Sequence, residues 1–221
     1  MTIRKRAGRI LILGAVAALM AGAGAAPALA TDVVFNVSPG GSFGGPLSSP
    51  AVTISDTATG TTITCPTSLV KGVITGGTGL SGTHLGRLVF VSFGGCVDSA
   101  ASVTFTVTGP STTHPWWFNA TSFAAGVTTA TISGMHLRLQ GSNGCVVVAD
   151  HTGPGSFNGK AIGHYTNGTP PTLQIQPVGP GLRAFPNAAC NSGTPATPVN
   201  PSDPITIAAT YHISNNPQTI T

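Results

Sequence analysis

Both tryptophans of the chain lie side by side in the stretch "HPWWFN", residues 114–119. An indole ring can stack on the face of a sugar or pack as a core anchor, so the pair could serve either a ligand or the fold. On a β-strand, Trp116 and Trp117 would point to opposite faces. We therefore expect at least one indole to leave the core. Trp117 is the better candidate for a ligand-facing ring, with Trp116 or Tyr165 as a second stacking surface.

Side chains for acid–base catalysis are scarce. The chain contains no Glu, and its five Asp residues are scattered. A glycosidase needs two carboxyl groups that face each other across a cleft, and Asp98 and Asp150 are the only candidates in suitable loops. The stretch "GGSFG" matches a nucleophile elbow but lies in a Gly/Pro loop with no helix after it. We predict no catalytic residue.

Metal and cofactor motifs are also weak. The six His residues show no H-x-H or H-x-x-x-H spacing, and the four Cys residues show no C-x-x-C spacing. The stretch "GTGLSG", residues 77–82, matches a dinucleotide-binding pattern but opens no helix. We predict no metal ligand and no cofactor.

Period-two patterning dominates the elements that must position these side chains. In "SVTFTVTG", Val103, Phe105 and Val107 alternate with threonines, which predicts a strand with one apolar face. The stretch "RLVFVSF", residues 87–93, is apolar at nearly every position and predicts a strand buried on both faces. The stretch "ITIAATYHI", residues 205–213, predicts a strong strand that closes the sheet.

One run contains a change of phase. In "ATISGMHLRLQ", Met135, Leu137 and Leu139 share a face that Ile132 does not, and a β-bulge at Gly134 would restore a common face. Turn-forming clusters rich in Gly, Pro, Asn and Ser separate the strands. The sequence predicts an all-β fold of roughly ten to twelve strands, as an antiparallel β-sandwich or, alternatively, a β-barrel.

The first thirty residues have the pattern of a secretory signal peptide. A basic start with Arg4, Lys5 and Arg6 leads into an apolar stretch and the sequence "APALA", which offers a cleavage site near Ala30. We expect residues 1–30 to be removed and residues 31–221 to form a single β-rich extracellular domain. No later apolar run has the length of a membrane span, so we expect no transmembrane segment in the mature chain.

The net charge of the mature chain is close to zero. Four of the nine Lys and Arg residues lie in the signal, and the remaining five are matched by five Asp. The basic character of the whole chain therefore comes from the signal, and we expect no nucleic acid as a partner.

All four cysteines lie in the exported part, where an even count predicts two disulfides. Three pairings exist, and the sequence alone does not choose among them. We favour sequential pairing, Cys65 with Cys96 and Cys145 with Cys190, because each bridge then closes a loop of moderate length.

Several stretches together resemble a widespread group of small exported proteins of high-GC Gram-positive bacteria. The similarity covers most of residues 55–221 and rests on the stretches "TGTTITC", "GVITGGTGL", "VSFGGC", "PWWFNATSF", "GVTTATISGMHLRLQGSNGC", "GHYTNGT" and "NNPQTIT". The resemblance implies export, four cysteines, a strand that contains Pro-Trp and a β-rich domain. It implies no catalytic residue.

These observations favour a non-catalytic secreted β-domain that acts as a structural, adhesive or binding module at or near the cell envelope. The alternative is a carbohydrate-binding module that uses an exposed Trp to hold a cell-wall or extracellular polysaccharide. A secreted hydrolase would need catalytic carboxylates such as Asp98 or Asp150. An inhibitor or small-molecule carrier would need a rigid exposed loop or an internal cavity, which the sequence does not reveal.

Overall fold

The computed structural model describes residues 33–176 and 181–221. The predicted signal peptide, residues 1–30, lies outside the described residues. Within them, no helix combines the length and the apolarity that spanning a lipid bilayer requires.

The described residues form eighteen strands and one short helix, α1 (Ala189–Ser192). In chain order the strands are β1 (Val34–Ser38), β2 (Gly41–Pro46), β3 (Val52–Asp56), β4 (Thr62–Cys65), β5 (Thr67–Ile74), β6 (Gly77–Ser81), β7 (Gly86–Gly94), β8 (Cys96–Asp98), β9 (Val103–Thr108), β10 (Trp116–Ala124), β11 (Val127–Met135), β12 (Leu137–Gly141), β13 (Val146–Asp150), β14 (Gly159–Thr166), β15 (Thr172–Gln176), β16 (Leu182–Pro186), β17 (Pro204–His212) and β18 (Thr219–Ile220).

Eight of the strands close into a barrel. Their order is β16, β13, β12, β9, β8, β4, β3 and β17, and the pairing of β16 with β17 joins the two ends. All pairs in this ring are antiparallel. The all-β class and the antiparallel pairing are confirmed, and of the two predicted architectures the barrel is the one observed.

The sheet continues from β17 through seven more strands. Their order is β15, β14, β11, β10, β7, β5 and β2. The last strand returns to β17, since Leu47 forms a bridge with Tyr211 and Gly44 forms a bridge with Asn215. The predicted strand "ITIAATYHI" therefore belongs to both halves of the sheet. A separate three-stranded sheet has the order β18, β1 and β6.

Alternating apolar side chains fill the core as predicted. In β9, Val103, Phe105 and Val107 are buried and the intervening threonines are exposed. Burying a side chain of this size stabilises the fold by about 1.5–3 kcal/mol. The apolar side chains of both halves of the sheet join a single core.

Two details differ from the expectations. The strand β7 was predicted to be buried on both faces, but Arg87 is exposed and Phe90 is 42% exposed, because the core covers only one face of this part of the sheet. Eighteen strands occur instead of ten to twelve, partly because several apolar runs are divided and partly because Gly-rich stretches form strands. The run that contains Gly134, for example, becomes β11 and β12, which lie in different halves of the sheet. The stretch "GGSFG" was expected to be a loop, but Gly41–Pro46 is strand β2, since its backbone pairs with β5.

Two disulfides join the predicted pairs, Cys65 with Cys96 and Cys145 with Cys190. The first links the neighbouring strands β4 and β8, and the second links the residue that precedes β13 to α1. All four residues are buried. The sequential pairing is confirmed.

Candidate functional site

Strand β10 places the two tryptophans on opposite faces of the sheet. Trp116 is fully buried, whereas Trp117 is partly exposed. Phe118 follows Trp116 into the core and Asn119 follows Trp117, as the alternation predicts. The stretch "HPWWFN" therefore supplies one core anchor and one surface ring.

Trp116 and Tyr165, two of the three rings considered for ligand stacking, lie in the core. Trp116 has no exposed surface, and its Nε1 has no hydrogen-bond partner among the described residues. Tyr165 is 4% exposed, and its hydroxyl donates to the backbone oxygen of Gln218 at 2.7 Å. Burial raises the pKa of Tyr165 to about 12, against the lowering effect of this hydrogen bond. Alternation along β10 and β14 turns both rings inward, which leaves Trp117 as the candidate.

A histidine from another strand connection stacks on Trp117. The ring centroids of His84 and Trp117 are 4.3 Å apart, and the ring planes lie 30° from parallel. The backbone N–H of His84 donates to Oδ1 of Asn119 at 3.0 Å, which holds the histidine beside the strand. Asn119 is itself fixed, since its Nδ2 donates to Oγ of Ser133 at 2.8 Å. One face of the indole is thus covered and its orientation is set before any ligand arrives.

A second aromatic ring, Phe157, lies between two further histidines. Its centroid is 4.1 Å from that of His114 and 4.4 Å from that of His136. Phe157 has a φ of 48°, in the left-handed region that bulky residues rarely adopt. Backbone strain of this kind persists only where the surrounding structure holds it, and it concentrates at functional sites.

The carboxylate of Asp150 holds the loop that carries Phe157. It accepts hydrogen bonds from the backbone N–H groups of His151, Phe157 and Asn158 at 2.9–3.0 Å. Its Oδ2 also lies 3.0 Å from Nδ1 of His136. Burial alone would raise the pKa of Asp150, but the hydrogen bonds from His136 and the loop backbone outweigh it and lower the pKa to about 2. Asp150 is therefore an ionised structural anchor.

An open hollow of about 370 Å³ lies between Trp117 and Phe157. Its walls combine the two rings with hydrogen-bonding and basic side chains, those of His114, Ser133, Asn158 and Lys160. A partly exposed indole beside donors and acceptors is the combination with which proteins hold a ligand that has both an apolar face and hydroxyl groups.

The predicted bulge at Gly134 shapes the wall of this hollow. The register of β11 against β14 shifts between Ser133 and Met135, and Gly134 has a φ of +74°. Ile132 and Met135 are both buried, so the bulge restores their common face as predicted. A Cβ atom at position 134 would lie 3.2 Å from the backbone oxygen of Pro115 and 3.5 Å from Cδ1 of Trp117. Glycine therefore allows the wall to approach the indole.

The two carboxylates considered for a hydrolase are both engaged in turns. Asp98 is 2% exposed and accepts the backbone N–H groups of Ala100 and Ala101, while Asp150 anchors the Phe157 loop. The pairing of His136 with Asp150 matches part of a Ser-His-Asp triad, but no hydroxyl bonds to the His136 ring within the described ranges. Over the same ranges, no group of three His, Cys, Asp or Glu side chains could hold a metal ion.

Comparison with known proteins finds no matching family model, no similar curated protein and no similar solved structure.

Sequence reasoning identified Trp117 but not the rings beside it. His84 and Phe157 come from connections remote in the chain. The folded sheet brings His84 onto the indole and Phe157 to the hollow that Trp117 lines. The signals at these positions were weak: His84 lies in a Gly-rich loop, and Phe157 follows the turn sequence "GPGS".

Proposed function

We propose that this chain is a non-catalytic exported binding module whose ligand is an extracellular or cell-wall polysaccharide. The observation that carries the proposal is the partly exposed Trp117, oriented by His84 and set at the edge of the open hollow that it shares with Phe157. A pyranose ring presents apolar C–H groups on its face and hydroxyls at its edge, which fits an indole surrounded by hydrogen-bonding groups.

The other functions considered find less support in the geometry. The carboxylates that a hydrolase would use, Asp98 and Asp150, are buried and hold turns. A small-molecule carrier needs an internal cavity, but the apolar cavities beside Tyr165 and Val199 measure about 10 and 20 Å³. Cavities of this size hold about one water molecule at most.

Location outside the cytoplasm is part of the proposal. Two disulfides between buried cysteines are compatible with an oxidising compartment. The pattern of residues 1–30 and the resemblance to small exported β-rich proteins support it further. Threonine, serine and asparagine side chains on the outer strand faces suit contact with a hydroxyl-rich polymer.

Replacement of the surface indole tests this proposal. Co-sedimentation with insoluble polysaccharides and with purified bacterial cell walls should retain the wild-type protein and lose Trp117→Ala. We expect a loss of affinity of about tenfold or more, the usual effect of removing an aromatic anchor from a binding site. Phe90→Ala is the matched control, because Phe90 is an exposed aromatic of β7 that does not line the hollow.

Urea unfolding of each variant separates loss of binding from loss of fold. Retention of Trp117→Ala on every polymer that retains Phe90→Ala would contradict the proposal. So would a wild-type protein that none of the polymers retains.

A further inference from the structure

Two basic residues flank Trp117 on the outer face of the sheet. In the strand register, Trp117 lies opposite Arg87 of β7 on one side and opposite Ser133 of β11 on the other. Ser133 in turn lies opposite Lys160 of β14. The four residues form one row across four neighbouring strands, which we call the basic row: Arg87, Trp117, Ser133 and Lys160.

Every member of the basic row points away from the core. Arg87 and Lys160 are exposed, and Trp117 and Ser133 are partly exposed, whereas the residues that precede and follow Trp117 in β10 are buried. Neighbouring strands lie about 4.8 Å apart, so the three steps from Arg87 to Lys160 span roughly 14 Å. An indole therefore lies between two cations, at a spacing that an extended polymer can bridge.

Three of the four Asp carboxylates in the described ranges are buried, and the fourth, Asp203, is partly exposed. Asp56, Asp98 and Asp150 are 3%, 2% and 0% exposed, and each accepts backbone N–H groups in a turn. In contrast, four of the five described cations are exposed: Lys71, Arg87, Arg138 and Lys160. Over the described residues, exposed cations therefore outnumber exposed carboxylates, and such a surface attracts anionic ligands.

The two cations of the basic row are free to meet a ligand. Among the described residues, the single ion pair is that of His136 with Asp150, and neither Arg87 nor Lys160 has a carboxylate partner. Lys160 also lines the hollow beside Trp117. A guanidinium donates two parallel N–H groups to a carboxylate or phosphate, and an ammonium adds a mobile positive charge.

We propose that the ligand of the basic row is an acidic polysaccharide, with a sugar ring against Trp117 and carboxylate or phosphate groups of the same chain on Arg87 and Lys160. This inference rests on the proposed function and specifies the class of polysaccharide. The row would also suit a single-stranded nucleic acid, which stacks bases and carries phosphates. The single accessible indole, set among hydroxyl and amide groups, favours the saccharide.

Matched polymers test the inference. Isothermal titration calorimetry at low ionic strength compares polygalacturonate with its methyl ester, and phosphorylated dextran with dextran. Each pair shares a backbone and differs in charge, and the two pairs distinguish a carboxylate from a phosphate ligand. We expect at least one charged polymer to bind about fivefold or more tightly than its neutral counterpart, an advantage that 1 M salt removes because the screening length falls to about 3 Å.

Charge-removing variants locate the effect. Arg87→Gln and Lys160→Gln should each weaken binding of the charged polymer by about two- to fivefold, the range of an exposed ion pair, and should weaken binding of the neutral polymer less. Arg138→Gln and Lys71→Gln are matched controls, because both cations are exposed and lie outside the row.

The outcomes separate the two proposals. If Trp117→Ala abolishes binding but the Arg87 and Lys160 variants bind charged and neutral polymers like the wild type, the inference of an acidic ligand is wrong and the binding module stands. If no polymer binds, both the inference of an acidic ligand and the proposed function are wrong. Tighter binding of oligo-dT than of either charged polysaccharide would overturn the saccharide assignment in favour of nucleic acid.

Discussion

At the residue scale, two neighbouring side chains of β10 have different roles. Trp116 anchors the core and Trp117 reaches the surface. The sequence predicts this separation, because alternation on a strand is a local property. The sequence also favours Trp117 as the ring that faces outward, but it offers no sign that Tyr165 is buried, since that burial depends on how the sheet closes.

A buried charge controls the loop beside the indole. The pKa of Asp150 is about 2 in the folded chain, below the ordinary 3.8. A carboxyl whose pKa is lowered by folding stabilises the folded state above its unfolded pKa, and this contribution is lost as the pH falls towards the folded pKa. The difference corresponds to about 2 kcal/mol at neutral pH.

We therefore predict that Asp150→Asn lowers the free energy of unfolding by about 2 kcal/mol at pH 6 and by progressively less between pH 4 and pH 2. Urea unfolding across this range measures the difference. Asp98→Asn is the control for loss of a buried turn carboxylate that does not contact the hollow. A deficit of Asp150→Asn that stays constant from pH 6 to pH 2 would contradict the assignment of an ionised carboxylate.

At the element scale, several strands, the bulge and the presence of two disulfides can be predicted from the sequence, whereas the site cannot. Alternation identifies β9 and β17, and a phase change in the apolar pattern identifies the bulge at Gly134. The hollow, however, collects residues from β10, β11, β14 and the loop that contains Phe157. Their meeting depends on register between strands, which no local pattern in a single strand encodes.

Glycine at the bulge should matter to both stability and the site. Gly134→Ala places a side chain at a φ of +74° and within 3.2 Å of the backbone oxygen of Pro115. We expect a loss of about 1–3 kcal/mol in urea unfolding and weaker polysaccharide binding, because the wall beside Trp117 must move.

Gly126→Ala separates the effect of the left-handed φ from the effect of the close contact with Pro115. Gly126 also has a left-handed φ, +81°, but an added Cβ there meets nothing within 4 Å. This variant should show the smaller stability loss and normal binding. Equal effects of the two substitutions on both measurements would show that the close approach at Gly134 is unimportant.

At the scale of the whole described fold, one strand belongs to both halves of the large sheet. Strand β17 pairs with β16 and β3 in the barrel and with β15 in the second half of the sheet. The chain after β2 then meets β17, where the backbone N–H of Ser48 donates to the oxygen of Thr210 at 2.7 Å. Turn and strand patterns do not specify these closures, which is why the sequence left sandwich and barrel open.

A test of this closure lies at Gly45. A Cβ atom there would lie 1.6 Å from the backbone oxygen of His212, so any side chain must push β2 away from the end of β17. We expect Gly45→Ala to lose about 3 kcal/mol or more of unfolding free energy. Gly153→Ala, where an added Cβ meets nothing within 4 Å, should lose less than about 1 kcal/mol.

Hydrogen exchange shows which strands Gly45→Ala destabilises. Amides of β2 should lose protection in Gly45→Ala before those of the barrel strands. A Gly45→Ala variant as stable as Gly153→Ala would contradict the contact between β2 and β17.

The central claim, that Trp117 is the surface on which a polysaccharide binds, is tested most directly by its own fluorescence. Trp116→Phe leaves Trp117 as the sole indole, since the chain has two tryptophans, and acrylamide quenching then reports its accessibility. We predict efficient quenching in the free protein and clear protection when polygalacturonate is added at low ionic strength, with less protection from its methyl ester. Quenching that neither polymer changes, or emission already shielded in the free protein, would contradict the claim.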